Sequence, residues 1–187
     1  MFKKRNLIFL CLLILGVLLI LGQLFYRSPT RLTVGDTGPA GGLIFYDKGS
    51  YSDGWRYLEA APSDQSTGVQ WYNGSYITTG ATGTAVGTGQ ANTTAIVTMQ
   101  GAGTYAAQLC DDLVEGGCSD WFLPSKDELN QMYVNLKEEG VGGFADYYYW
   151  SSSEGSAYNA WSQSFLDGLQ HKYNKDGTNR VRAVRAF

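Results

Sequence analysis

The segment Asp120-Trp121-Phe122-Leu123-Pro124-Ser125-Lys126-Asp127-Glu128-Leu129 joins an apolar knot to the start of a helix. Trp121, Phe122 and Leu123 run straight into a proline, and Ser125 stands three residues before Glu128. That spacing is a capping box: the serine hydroxyl accepts from the backbone N–H of Glu128, and the glutamate reaches back to the N–H of Ser125. Leu129, Met132, Tyr133 and Leu136 then recur at i, i+3, i+4 and i+7, an apolar stripe on one helix face. Gly140 is a natural stop.

Further upstream, Thr104 can cap a helix with Ala106, Leu109, Cys110 and Leu113 on one face, ended by Gly116 and Gly117. Residues 43–46 and 55–60 read as strands around a turn-rich 47–54, and residues 69–72 as a third strand. Residues 74–103 are rich in Gly, Thr and Ala and read as surface loop, interrupted by one short helix over 92–99. Downstream, residues 160–165 and 169–174 form a hairpin. A loop of Leu166, Asp167 and Gly168 pairs Phe165 with Leu169, Gln163 with His171 and Trp161 with Tyr173. It collects Trp161, Phe165, Leu169 and Tyr173 on one face and Ser162, Ser164, Gln170 and Lys172 on the other, with Gly168 left-handed and His171 inward beside Gln163. Two main helices and short antiparallel strands make an α+β domain rather than alternating βαβ units.

Several blocks resemble one family in the right order: Asp120 to Leu129, Tyr149 to Glu154, Ala160-Trp161, and Val181 to Phe187. Gly35 to Gly42, Phe45-Tyr46 and Gly87 to Thr94 match upstream. The chain after Gly35 thus resembles the C-terminal domain family of the Legionella collagen-like adhesin. The resemblance implies a C-type-lectin-like fold, related to the formylglycine-generating enzymes and to the variable proteins of diversity-generating retroelements. In those variable proteins the C-terminal region displays diversified Tyr, Asn, Ser and Asp positions.

The net charge of −3 and pI near 5.1 argue against a nucleic-acid partner. Residues 1–6, with Lys3, Lys4 and Arg5, read as a cytoplasmic tail, and residues 7–26 as a transmembrane signal anchor. Gln23-Leu24-Phe25-Tyr26-Arg27 offers no small-x-small cleavage site. Residues 27–34 are a linker, leaving 35–187 as an extracytoplasmic domain. The Gly35, Gly38, Gly41 register is too short for a collagen helix, and no Gly-Lys-Ser/Thr follows to make a phosphate loop.

Cys110 and Cys118 are the only cysteines beyond the anchor, and an oxidising compartment would join them. So short a disulfide loop contributes about 2.5 kcal/mol in the chain-entropy model. With His171 they supply at most three zinc ligands where a structural site takes four. Asp146, Glu154, Asp167 and Asp176 are scattered oxygen ligands, so no metal and no cofactor is expected. His171, the sole histidine, has no nucleophile elbow to serve, so no catalytic residue is assigned. An enzyme of the formylglycine-generating type and a structural cell-surface component are the alternatives to a binding module.

Binding has more to work with. From Tyr147 the chain is dense in Tyr, Trp, Ser and Asn, side chains that give large contacts at low entropic cost. Trp121, Trp150, Trp161 and Phe165 are expected in the core. Ser153, Glu154, Tyr158 and Asn159 on one loop, with Asn174 and Lys175 on another, are the candidate contacts for a protein or glycan ligand.

Overall fold

The computed structural model describes residues 31–187, and from Leu32 to Phe187 they form one compact unit. The proposed tail, the anchor and most of the linker therefore lie outside the described residues. Among the described residues no helix is long and apolar enough to cross a membrane.

The capping box is closed: Glu128 N donates to Ser125 Oγ at 3.3 Å, and Ser125 N donates to Glu128 Oε2 at 2.7 Å. The capped helix runs over Lys126–Met132 and continues as a π-helical turn over Tyr133–Lys137. Leu129, Met132 and Leu136 are buried, as the stripe requires. Just before it, extended backbone sends Trp121 and Leu123 into one core cluster and Phe122 into the other. Phe122 and Val184 exchange both main-chain hydrogen bonds, at 2.8 and 2.9 Å, fixing this segment to the end of the chain.

The strands are β1 (Leu43–Ser52), β2 (Trp55–Ala60), β3 (Ser66–Gln70), β4 (Tyr148–Glu154), β5 (Asn159–Ser164), β6 (Gln170–Asn174), β7 (Thr178–Val181) and β8 (Val184–Ala186). They form a three-stranded sheet ordered β1-β2-β8 and a five-stranded sheet ordered β3-β7-β4-β5-β6. Every pair is antiparallel except β4 with β7. The fold class is α+β, as the sequence implies. The turn expected over 47–54 is mostly strand, and β1 turns into β2 only at Asp53-Gly54.

Among the described residues the α-helices are α1 (Gly89–Gln100), α2 (Ala106–Asp111) and α3 (Lys126–Met132). The longest, α1, falls where a loop with a short helix was expected. Its inner face is Gly89, Asn92, Thr93 and Ile96, and hydrogen bonds make that polarity buriable. Asn92 exchanges bonds with Gly83, and Thr93 Oγ1 accepts from Leu123 N at 3.0 Å. Helix α2 is shorter than expected: Tyr105, not Thr104, precedes it, and Leu113 lies beyond its end.

The hairpin departs from expectation by one residue. Gln163 pairs with Gln170, Ser162 with His171 and Trp161 with Lys172. The loop holds four residues, because Phe165 leaves the strand to fill the second core. There its ring lies 4.4 Å from Tyr149 and 5.2 Å from Phe144. Leu166 and Leu169 are consequently exposed, while Ser162, Gln163 and Ser164 are buried. Trp161 is not core: it is half-buried, with the Lys126 and Lys172 ammonium groups 5.3 and 5.4 Å from its ring. His171 packs on Tyr148, not beside Gln163.

The expected Cys110–Cys118 disulfide is also corrected, since both are free thiols. Cys110 sits on the inner face of α2 with Ala106 and Ala107, fully buried, and burial pushes its thiol well above the ordinary value. Cys118 closes a tight turn with Glu115 and directs Sγ toward the Gly116 carbonyl at 3.9 Å.

Three buried glutamates hold the glycine-rich loops. Glu59 accepts from Ala40 N and Gly42 N at 3.1 and 2.8 Å. Glu128 accepts from Gly87 N at 2.7 Å and Gly89 N at 3.4 Å. Glu154 accepts from Thr79 N and Gly80 N at 2.9 and 3.2 Å. Hydrogen bonds to a charged group contribute about 1.5–3 kcal/mol each, against about 1 for neutral ones.

Candidate functional site

Glu154 ends β4, and Lys175 follows directly on β6. The two side chains meet at 2.5 Å with essentially no exposure. Lys175 Nζ also donates to the Ile77 carbonyl at 3.0 Å and lies 4.4 Å from the Trp71 ring. Its main chain bridges two further segments: its N–H donates to Tyr158 O, and its carbonyl accepts from Trp71 N, both at 3.0 Å. Burial pulls the Lys175 ammonium below its ordinary pKa, and the Glu154 carboxylate opposes that pull. The pair therefore ties the segment 77–80, Tyr158 in the turn between β4 and β5, and Trp71 just beyond β3 to one point.

Next to this pair are surface rings. Tyr72 and Tyr76 have centroids 4.8 Å apart, and Tyr76 and Tyr158 have centroids 5.4 Å apart. Tyr158 is 64% exposed and Tyr76 is 41% exposed. Partial burial, helped by the Asp176 carboxylate, pushes the Tyr76 phenol up to about 12. Asn174 and Asp176 are exposed nearby, and Gln70 Nε2 holds the Asp176 carbonyl at 2.9 Å.

The six residues expected to contact ligand divide here. Tyr158 and Asn174 stand at the surface. Asn159 is half-buried, and its Oδ1 has no hydrogen-bond partner among the described residues. Ser153, Glu154 and Lys175 are corrected, because all three are buried and engaged. Ser153 Oγ donates to Gly83 O at 2.7 Å and accepts from Lys126 N at 2.9 Å. A carboxylate and an ammonium near turns looked solvated, but mutual neutralisation made them buriable. The sequence reading missed Tyr72, Tyr76 and Asp176. The signal available was a pair of tyrosines flanking Asn73-Gly74-Ser75 at the head of a stretch, residues 77–103, that holds no further aromatic.

Among the described residues no group of three or more His, Cys, Asp and Glu is arranged to hold a metal ion. The His171 ring lies against Tyr148 and Tyr173, with centroids 4.9 and 6.3 Å away.

Fold and site together define an α+β domain that presents a rim of tyrosines stiffened from beneath by a buried ion pair. The chain belongs to the Lcl C-terminal domain family, that of the Legionella collagen-like protein, whose model matches residues 61–185. Membership is consistent with an extracellular adhesion-type module. No curated protein matches the chain.

Proposed function

We propose that this is a membrane-anchored, extracytoplasmic, C-type-lectin-like module that binds a protein or glycan through the rim of Tyr72, Tyr76, Tyr158, Asn174 and Asp176. The observation that carries the reading is the tyrosine run, Tyr76 and Tyr158 exposed and Tyr72 half-buried, beside the buried Glu154–Lys175 pair. Rigid aromatic groups held in place lose little entropy on binding, and the amide and carboxylate beside them supply directional hydrogen bonds. Lys3, Lys4, Arg5 and the apolar residues 7–26 support export of the domain. The lectin-like fold rests on the family resemblance and agrees with the α+β architecture.

Charge narrows the ligand. Five of the 14 basic residues precede Leu32 and none of the 17 acids does, so the remaining chain carries a formal −8. At the rim, where Asp176 is exposed and Lys175 is neutralised by Glu154, that balance disfavours polyanions and favours neutral or basic partners. The test is binding of wild type, Tyr76→Ala and Tyr158→Ala to arrays of neutral and sulfated oligosaccharides and of short peptides. Wild type should retain neutral sugars or basic peptides, and each substitution should weaken that binding roughly tenfold with the melting temperature unchanged. Retention of sulfated sugars alone, or hits indifferent to both substitutions, would overturn the reading.

A further inference from the structure

The five-stranded sheet ends at β6. Ser164 N donates to Leu169 O at 2.9 Å and Lys175 N to Tyr158 O at 3.0 Å, and the register between them is unbroken. In such an antiparallel ladder the main-chain groups of Leu169, His171, Tyr173 and Lys175 face β5. Those of Gln170 and Lys172 therefore point away from the sheet, with no strand beyond them among the described residues.

Of the other sheet edges, β8 is met by Phe122 through its bridge to Val184, and β3 and β1 are blunted. The pairing of β3 with β7 is irregular between Ser66 and Val69, and that of β1 with β2 is irregular twice. Bulges of this kind discourage added strands. β6 has no such shift and no proline, and Lys172 to Asn174 are exposed. Its two faces differ. On one, Tyr148, His171 and Tyr173 form a row of rings. On the other, Lys172 lies over Trp161, and Gln170 Nε2 donates to the Lys126 carbonyl at 2.8 Å.

We propose that β6 is a docking edge that accepts an extended strand from a partner protein, alternating apolar with acidic residues. Main-chain hydrogen bonds to Gln170 and Lys172 supply the pairing. The strand's apolar side chains lie beside His171 and Tyr173, and its acidic side chains lie beside Lys172. A second copy of β6 is a poorer occupant, because Gln170-His171-Lys172-Tyr173-Asn174 brings a lysine and no acid to meet it. The edge uses main-chain groups that the tyrosine rim does not, so it stands whether or not the rim binds its own ligand.

The test uses the full chain and a fluorescent peptide of about eight residues, the length of an ordinary strand, alternating valine and glutamate. Two further versions carry N-methyl groups on alternate amides, one in each register. The parent peptide should bind, one N-methylated register should lose about tenfold in affinity, and the other should keep it. Binding should slow amide exchange at Gln170 and Lys172. Lys172→Glu should weaken the glutamate peptide and strengthen a valine–lysine one. Lys172→Pro, which removes an outward donor but no bond to β5, should weaken both while retaining the wild-type melting temperature; if it unfolds, the charge swap decides. Absence of binding, equal binding by both N-methylated peptides, or a wild-type self-association that Lys172→Pro abolishes would overturn the proposal.

Discussion

Glu154 without Lys175 would be a buried anion facing only the Thr79 and Gly80 amides, so the pair is worth most when one member is removed. Lys175→Met is therefore expected to cost about 3–5 kcal/mol in urea unfolding, and the double change with Glu154→Gln to recover much of it. Independent, additive losses would show that the two do not act as a pair. The thiols give a second expectation at this scale. In a Cys11→Ser background, native protein should show one reactive thiol, Cys118, with Cys110 reacting only on unfolding, since Cys110 is fully buried with a raised pKa. No reactive thiol in the native exported protein would restore the disulfide reading. Tyr158 and Asn174 were legible as surface residues because each sits at a local turn. Tyr76 was not, because its contact with Tyr158 is tertiary and leaves no periodic trace.

Elements set by adjacent residues were the readable ones. The Ser125–Glu128 box and the Leu129, Met132, Leu136 stripe are complete within a dozen residues, and the helix lies where they place it. Helix α1 was undersized because hydrophobic periodicity cannot register a face buried through Asn92 and Thr93. The hairpin register slipped because Phe165 looked like a strand residue and is instead a core plug. Gly89 shows how large the hidden constraint is. A Cβ there would lie 2.2 Å from Glu128 Oε2 and 2.8 Å from the Phe122 ring. Gly89→Ala gains about 1 kcal/mol of helix propensity at most, against overpacking that costs about 1–3 and a displaced carboxylate. Net destabilisation by chemical denaturation is the expected sign; a stabilised variant would mean that Glu128 moves freely.

Across the whole molecule, acid sensitivity divides between carboxylates of opposite behaviour. Arg185 holds Asp120 below its ordinary 3.8, so its contribution is complete above that value and is lost as pH falls through the folded pKa. Burial raises Glu128 above 4.5, against the Ser125, Gly87 and Gly89 amides, so ionising it costs stability as pH rises through that gap. Wild type and Asp120→Asn should differ in unfolding free energy at pH 7 by under about 1 kcal/mol, because Asp120 is partly exposed. The difference should shrink as pH drops below 3.8; one that persists at pH 2 would discount the ion pair. The three glutamate anchors carry one more consequence. Glu59, Glu128 and Glu154 grip amide hydrogens, and although the close approach demands glycine at Gly42 and Gly89, the other side chains of those loops take no part in the hold. Positions such as Ser75 and Thr78, outside these contacts, are thereby released from the demands of folding. Natural turnover or a protein engineer could rewrite them many times over while the architecture underneath stays the same.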